Sequence, residues 1–233
     1  MKLRVAEAGQ GPRTAILVHG LLSDHGAWCR VAPILAERGY HVLMPDLRGH
    51  GFSPRGEYTP QAWAEDLVET LPRGADLAIG HSLGGMSLSL AVAPLAPSRA
   101  VFVDPAWKLT PEQHRRDAPY FRAQLGWDEM HLREAHPRWA DEDIAARLAS
   151  MARFDPRCIE SLLPGDGYDH APRAPSTKSL VMLADPSDLV PPEDADELRR
   201  AGFDVAAVPD SGHSIFRDDL DGFMAALDAW LGG

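Results

Sequence analysis

The chain of 233 residues contains no asparagine, only three lysines and only two cysteines. Without asparagine there is no N-glycosylation sequon. Cys29 and Cys158 lie far apart and match no metal-binding spacing, so we expect neither a metal site nor a disulfide. No apolar run approaches the roughly 18 residues that span a bilayer, and residues 1–9 lack the apolar core of a signal peptide. These features predict a cytoplasmic protein without a membrane span.

Positive charge is also scarce, since the formal net charge is −11 with acidic residues spread along the whole chain. Nonspecific nucleic-acid binding depends on lysine and arginine neutralising phosphates, so a nucleic-acid partner is not expected. The apolar fraction of 45% is ordinary for a globular protein with a substantial core. The composition therefore favours an acidic globular protein and leaves its oligomeric state open.

Short apolar runs alternate with segments of helical periodicity, which predicts an α/β fold with a mostly parallel sheet flanked by helices. The predicted helices include one that begins at Pro60 with Thr59 as its N-cap, one over residues 192–201 and one over residues 218–231. The predicted strands cover residues 3–6, 15–19, 41–45, 77–80, 100–103, 180–184 and 205–208.

Residues 105–177 interrupt this alternation, because they contain helix starts but no convincing strand. Thr110-Pro111-Glu112-Gln113 is typical of a capping box with proline in the first helical position. We predict a helical cap over residues 105–177, inserted into a core of residues 1–104 and 178–233. The cap would cover the carboxyl ends of the strands, where open α/β sheets bind ligands. Its aromatic side chains could line a pocket or form a core, namely Trp107, Phe121, Trp127, Trp139, Phe154 and Tyr168.

The strongest local motif is Gly80-His81-Ser82-Leu83-Gly84, which lies between an apolar strand and an apolar helix. A serine on such a sharp turn is held with its hydroxyl exposed above the sheet, and the two glycines leave room for the turn. Ser82 is therefore the candidate nucleophile. His81 adjoins the serine but is expected to point away from it.

A serine hydroxyl is a weak nucleophile until a base removes its proton. Of ten histidines, His213 follows the last strand, so its loop emerges at the same sheet edge as Ser82. An acid must then orient the imidazole. Asp188, after the penultimate strand, is the first candidate, and Asp185 and Asp104 stay open as alternatives.

A tetrahedral intermediate also needs N–H donors for its oxyanion. The Leu83 N–H directly follows the nucleophile at the start of a helix. The second donor is expected from His19-Gly20-Leu21-Leu22, after the strand over residues 15–19, through the Leu21 N–H.

Together, His19-Gly20, the loop over residues 46–53, the Ser82 motif, Asp188 and Gly212-His213 resemble the α/β-hydrolase superfamily, in particular its small esterase-like members. The resemblance covers essentially the whole chain. It implies Ser82 as nucleophile, His213 as base, Leu21 and Leu83 as oxyanion donors, and a structural role for residues 46–53. The acid loop departs from the family pattern, because Ala184 replaces a glycine and Asp188 lies one residue late. The short N-terminal part further implies that one edge strand is missing.

The expected function is that of a serine hydrolase that cleaves a carboxylic ester, or a related acyl compound, through an acyl-serine intermediate without a cofactor. The substrate would be a small molecule with an apolar acyl or alcohol group. The same residues would also serve a C–C bond hydrolase, a lactonase, a thioesterase or a perhydrolase. An alternative of another class is a receptor-like protein that binds a ligand in this pocket without turnover.

Overall fold

The computed structural model describes residues 1–162 and 166–232. Residues 163–165 of the predicted cap, and residue 233 of the predicted core, lie outside the described residues. The strands are β1 Val5–Ala8, β2 Arg13–Val18, β3 Tyr40–Pro45, β4 Leu77–His81, β5 Arg99–Val103, β6 Lys108–Leu109, β7 Tyr168–Asp169, β8 Lys178–Asp185 and β9 Asp204–Pro209. The helices are α1 Val31–Glu37, α2 Pro60–Thr70, α3 Leu83–Leu95, α4 Pro111–Gln124, α5 Glu129–Ala135, α6 Asp141–Met151, α7 Arg157–Leu162, α8 Pro192–Arg200, α9 Ile215–Asp218 and α10 Leu220–Gly232. A 3₁₀ helix spans His25–Trp28.

The central sheet has seven strands within the described residues, in the order β1-β3-β2-β4-β5-β8-β9. Only the edge strand β1 runs antiparallel, against β3, and the other pairs are parallel. The predicted α/β-hydrolase fold, with its mostly parallel sheet, is therefore confirmed. Each main strand lies close to its predicted position, with β1 beginning two residues later than predicted.

The core has one layer on each face of this sheet, because side chains alternate between the faces along every strand. In β2, Ile16 and Val18 contribute to the layer that α2 and α3 cover, whereas Ala15 and Leu17 contribute to the layer under α1 and α10. Burial on both faces explains why these strands are nearly continuous apolar runs in the sequence.

Local signals set several helix ends. Thr59 accepts a hydrogen bond from Ala62 N at 3.0 Å and so begins α2, with Pro60 in the first turn. Thr110 and Gln113 form the predicted capping box of α4. The predicted helix over residues 218–231 is divided, because Asp219 leaves helical geometry and caps Gly222 N, which separates α9 from α10.

The segment between β5 and β8 contains the helices α4 to α7. It also contains a short antiparallel ribbon of β6 and β7, which pairs Lys108 with Asp169 and Leu109 with Tyr168. The expectation that this segment has no strand is therefore wrong. Two residues per strand are too few to produce an alternating pattern in a sequence.

Candidate active site

Ser82 lies on the sharp turn between β4 and α3, at the carboxyl edge of the sheet. Its backbone has φ 53° and ψ −116°, a conformation that non-glycine residues rarely adopt. Ser82 N donates to Val103 O at 3.0 Å, and Ala106 N donates to Ser82 O at 3.2 Å, so neighbouring backbone holds the strained turn from both sides. The Leu83 N–H lies at the start of α3, where the helix dipole favours negative charge.

The two glycines of the motif have a steric reason in this turn. A Cβ on Gly80 would lie 2.5 Å from Gly84 O, and a Cβ on Gly84 would lie 2.3 Å from Val18 O. Both contacts are with backbone, which has little freedom to move away. The spacing predicted from the sequence is therefore what allows α3 to start so close to β2 and β4.

His213 lies in the loop between β9 and α9, and its Nδ1 is 2.6 Å from Asp104 Oδ2. Of the His213 side chain 42% is accessible, whereas the Asp104 side chain is 1% accessible. A neutral imidazole that donates its Nδ1–H to this carboxylate leaves Nε2 as an acceptor. His213 and Ser82 line one cavity, so the structure brings together the two residues that the sequence had placed at one sheet edge.

Asp104, rather than the predicted Asp188, is the carboxylate at His213. The Asp188 side chain is 81% accessible, and its nearest described cation is Arg116 at 3.8 Å. Asp104 follows β5 directly, and its Oδ1 accepts hydrogen bonds from Ser187 Oγ at 2.7 Å and from Ala184 N at 3.3 Å. The end of β8 and the loop after it therefore supply hydrogen-bond donors to Asp104 instead of supplying the carboxylate that contacts His213. The sequence feature that pointed to Asp104 was its position directly after β5, the strand next to β4.

His81 has a role that the sequence did not reveal. Its ring is buried, and burial together with the nearby His213 lowers the pKa of His81 well below its usual value, so the imidazole is neutral. Nε2–H donates to the backbone oxygen of His213 at 2.9 Å. This hydrogen bond ties the loop that carries His213 to the residue preceding Ser82.

The predicted oxyanion residues flank the same site. Leu83 follows Ser82 directly, and Leu21 lines the cavity in which Ser82 and His213 lie. The loop of Leu21 is itself held, because the Arg147 guanidinium donates through Nη1 to Leu21 O at 3.1 Å and to Leu22 O at 2.8 Å. Leu22 has a positive φ of 57°, which shapes the turn after β2.

The cavity has a volume of about 320 Å³ and combines an apolar wall with the polar groups of the site. The aromatic side chains predicted for the cap divide between the two expected roles. Phe121 and Tyr168 line the cavity, whereas Trp107 is buried against Phe102 in the core. The remaining apolar lining comes from Leu21, Ala106, Leu109, Tyr120, Leu162, Pro186 and Leu189.

A larger cavity of about 620 Å³ lies elsewhere, between the ribbon and α8. It is crossed by a salt bridge of 3.0 Å between Lys108 and Asp194. Ser82 and His213 are not among its lining residues, so the smaller cavity is the one with the chemistry.

Asp24, His25 and Asp46 form the one cluster with metal-ligand spacing among the described residues. Their oxygens already accept hydrogen bonds: Asp46 from the Nδ1 of His25 and from Phe52 N, and Asp24 from Arg153. Hydrogen bonds to the carboxylate keep the pKa of Asp46 at about 2, despite burial. The cluster therefore organises the loop over residues 46–53, which agrees with the structural role that the family resemblance implied.

The model of the alpha/beta hydrolase family matches residues 15–226, which include every candidate residue described above. The chain belongs to the alpha/beta hydrolase family. The members of this family are hydrolases that act on small-molecule substrates.

Relatives of this alpha/beta hydrolase catalyse different hydrolytic reactions. It is 29% identical to an N-formylmaleamate deformylase of Pseudomonas putida over 93% of this chain and 87% of the relative. It is 32% identical to epoxide hydrolase A of Mycobacterium tuberculosis, over 87% of this chain and 68% of the relative. The crystal structure of an E-2-(acetamidomethylene)succinate hydrolase superposes with a TM-score of 0.80 at 21% identity, covering 99% of this chain and 95% of that one, which supports the fold alone.

Within the described residues of this alpha/beta hydrolase, no helix is both long enough and apolar enough to cross a bilayer.

Proposed function

We propose that the protein is a serine hydrolase that cleaves a carboxylic ester or a related acyl compound through an acyl-serine intermediate. The observation that carries this proposal is the 2.6 Å contact between His213 Nδ1 and the buried Asp104 carboxylate, in the cavity that Ser82 also lines. Asp104 fixes the imidazole tautomer and stabilises the imidazolium that forms when His213 accepts a proton.

In the first half-reaction, His213 Nε2 removes the Ser82 proton while the serine oxygen attacks the carbonyl carbon. The carbonyl oxygen becomes an oxyanion, which we assign to the N–H groups of Leu21 and Leu83. Collapse of this intermediate breaks the bond to the alcohol, which takes the proton from His213. In the second half-reaction a water molecule, activated by His213 in the same way, attacks the acyl-serine and releases the acid.

The apolar wall formed by Phe121, Tyr168 and their neighbours favours an apolar acyl or alcohol group in the cavity. We also retain residues 105–177 as a cap on a core of residues 1–104 and 178–233, because Phe121 and Tyr168 both come from that segment. The reaction needs no cofactor. Cys29 and Cys158 are free thiols, which is in keeping with a cytoplasmic location.

A second substrate class is an acyl group bound to nitrogen. It is favoured by the similarity to the N-formylmaleamate deformylase, which extends over 93% of the chain. The same attack by Ser82 would then expel an amine or amide nitrogen, protonated by His213. The same residues are also suited to the hydrolysis of lactones, thioesters and C–C bonds.

The test uses a fluorophosphonate probe and a panel of nitrophenyl esters of increasing acyl length, extended by an N-formyl amide. We expect the wild type to be labelled and to hydrolyse at least one compound, and Ser82→Ala to lose labelling and at least about 10⁴-fold in kcat. Ser98→Ala, which changes an exposed serine between α3 and β5, is the matched control and should retain activity.

Two outcomes contradict the proposal. Equal hydrolysis by the wild type and Ser82→Ala would remove Ser82 from the reaction. An unlabelled serine, with no turnover of any compound, would favour the receptor-like protein.

A further inference from the structure

Arg147 on α6 is a buried cation that has no carboxylate partner among the described residues. Only 7% of the residue is accessible, and it takes part in no salt bridge among residues 1–162 and 166–232. Its Nη1 donates to two backbone oxygens and its Nη2 donates to Gln124 Oε1 at 2.6 Å. Its Nε is buried and has no hydrogen-bond partner in the described part of the chain. Three hydrogen bonds engage three of the five guanidinium N–H groups, and the buried Nε–H is among those without a partner in the described part of the chain.

An isolated buried charge is costly, because hydration is lost and no opposite charge replaces it. Burial, reinforced by the neighbouring Arg217 cation, lowers the pKa of Arg147 to about 9. The side chain is still a cation near neutral pH. Two protonated arginines close together in an apolar surrounding are typical of a site that receives an anion.

Arg147 lies beside the proposed reacting groups. A chamber of about 50 Å³ joins the candidate active site, and its lining contains both arginines but no carboxylate. One water needs roughly 10–15 Å³, so the chamber has room for a group of carboxylate size. The lining residues are Leu21, Ser23, His81, Ser82, Phe121, Arg147, His213, Ser214, Phe216 and Arg217.

Arg217 supports the same interpretation. It is 2% accessible, and its nearest carboxylate oxygen is that of Asp143, at 3.7 Å. Asp143 also forms a closer contact of 3.0 Å with Arg30. Asp24 and Asp218 also act on Arg217 from a greater distance, but they pair with Arg153 and Arg138. Arginines therefore outnumber carboxylates around the chamber, in a protein whose net charge is −11.

We infer that the chamber is a subsite for a free carboxylate of the substrate, bound chiefly by Arg147 with Arg217 as a second positive charge. The inference rests on the proposed function, and it narrows the substrate class to acyl compounds that are themselves organic anions. The carboxylate would lie in the chamber while the rest of the substrate occupies the 320 Å³ cavity with its apolar wall.

A purely structural role for Arg147 makes a different prediction. Its hydrogen bonds to Leu21 O and Leu22 O hold the loop of a proposed oxyanion donor. If this were its whole role, replacing it would lower activity equally for anionic and neutral substrates. Discrimination between the two kinds of substrate is therefore the decisive measurement.

The experiment compares the monomethyl esters of malonate, succinate and glutarate, each with the neutral carboxamide of the same length. A second pair, 4-acetoxybenzoate and 4-acetoxybenzamide, places the carboxylate on the alcohol side. We expect the wild type to prefer at least one acid over its amide by about 10- to 100-fold in kcat/KM, as for a hydrogen bond to a charged group. Arg147→Met should abolish this preference by lowering kcat/KM for the acid, whereas kcat/KM for the amide should change much less.

Arg147→Lys keeps a cation and should recover part of the preference. The matched control is Arg122→Met, which removes an exposed arginine of the same segment that pairs with Glu160, and it should behave as the wild type. A wild type that hydrolyses the amides as fast as the acids would overturn the inference. Equal losses on both substrates in Arg147→Met would also overturn it.

A binding measurement keeps the inference testable without turnover and without a variant of Arg147. Succinate and its diamide, succinamide, are each titrated into the Ser82→Ala protein in a calorimeter. The titrations are repeated with malonate, glutarate and their diamides. At least one dicarboxylate should bind about 10-fold or more tightly than its diamide. Neutral esters hydrolysed through Ser82, with no anion preference in either assay, would refute the subsite and leave the proposed function intact. A wild-type protein whose Ser82 is not labelled by the fluorophosphonate probe would instead refute the proposed function.

Discussion

Three non-glycine residues around the candidate active site have left-handed backbone conformations. Leu22, Ser82 and Asp104 have φ values of 57°, 53° and 39°, and each follows the carboxyl end of a parallel strand. Each such conformation costs on the order of 1–3 kcal/mol and persists only where the surroundings enforce it. For Asp104 the enforcement includes a hydrogen bond of 2.8 Å from its N–H to Met182 O. The backbone, rather than flexible side chains, therefore sets the directions of the reacting groups.

At this scale the choice of acid is directly testable. We expect Asp104→Asn to lower kcat by about 10³- to 10⁴-fold, because an amide no longer selects the imidazole tautomer or stabilises the imidazolium. Asp188→Asn, which changes an exposed side chain, should stay within about twofold of the wild type. Both variants are assayed on the best ester of the panel. A larger effect at residue 188 than at residue 104 would reverse the assignment.

At the scale of elements, the packing of α3 against the sheet positions Ser82, the proposed nucleophile, which directly precedes the helix. The helix is apolar on all sides and most of its residues are buried, including Leu83, Met86 and Leu88. Such a helix belongs in the interior, and its first turn approaches β2 so closely that only glycine fits at residue 84. The close packing of α3 against β2 therefore also fixes the position of Ser82, because both depend on glycine at residue 84.

Gly84→Ala should consequently destabilise the whole protein. Its Cβ would lie 2.3 Å from Val18 O and 2.4 Å from His19 O, so either β2 or α3 must move. We expect a loss of more than about 2 kcal/mol in the free energy of unfolding, measured by urea denaturation. Gly126→Ala is the control, since its nearest contact is Ala123 O at 3.7 Å, and it should change stability by less than about 0.5 kcal/mol. Equal stability of the two variants would contradict the steric requirement for glycine at residue 84.

At the scale of the whole molecule, three buried histidines link stability to pH. Burial lowers the pKa of His19, His50 and His81, in the case of His50 to about 3. In the unfolded chain these groups would titrate near pH 6.5. Below that pH the unfolded state binds protons that the folded state excludes, so acid favours unfolding. His25, whose pKa the Asp46 carboxylate raises, acts in the opposite direction.

We therefore expect the free energy of unfolding to fall as the pH is lowered from 7.5 to 5. Each of the three histidines contributes up to about 1.4 kcal/mol per pH unit below 6.5. Denaturation at several pH values measures the slope. His50→Phe should reduce this slope by about 1.4 kcal/mol per pH unit, which corresponds to one proton. Phe154→Leu, which alters the aromatic neighbour of His50, should lower stability without changing the slope. A stability independent of pH in this range would contradict the burial of neutral histidines.

Much of this architecture was accessible from local patterns. Apolar runs marked the strands of the sheet, and the Thr110–Gln113 capping box marked the start of α4. The glycines around Ser82 marked the turn, because a sterically restricted backbone demands particular residues at fixed spacing. The two-residue strands β6 and β7 escaped prediction, since they are too short to have a period.

The sequence by itself determined the fold class, the sharp turn at Ser82 and the sheet edge at which Ser82 and His213 lie. Only the tertiary structure decided which aspartate faces the imidazole, because Asp104 and His213 are 109 positions apart and no local pattern encodes their contact. The same holds for Arg147, which as a lone arginine in an amphipathic helix looks like any surface cation. Its burial depends on helices and loops from distant parts of the chain closing over it, so its lack of a counter-charge becomes visible only once the chain is folded.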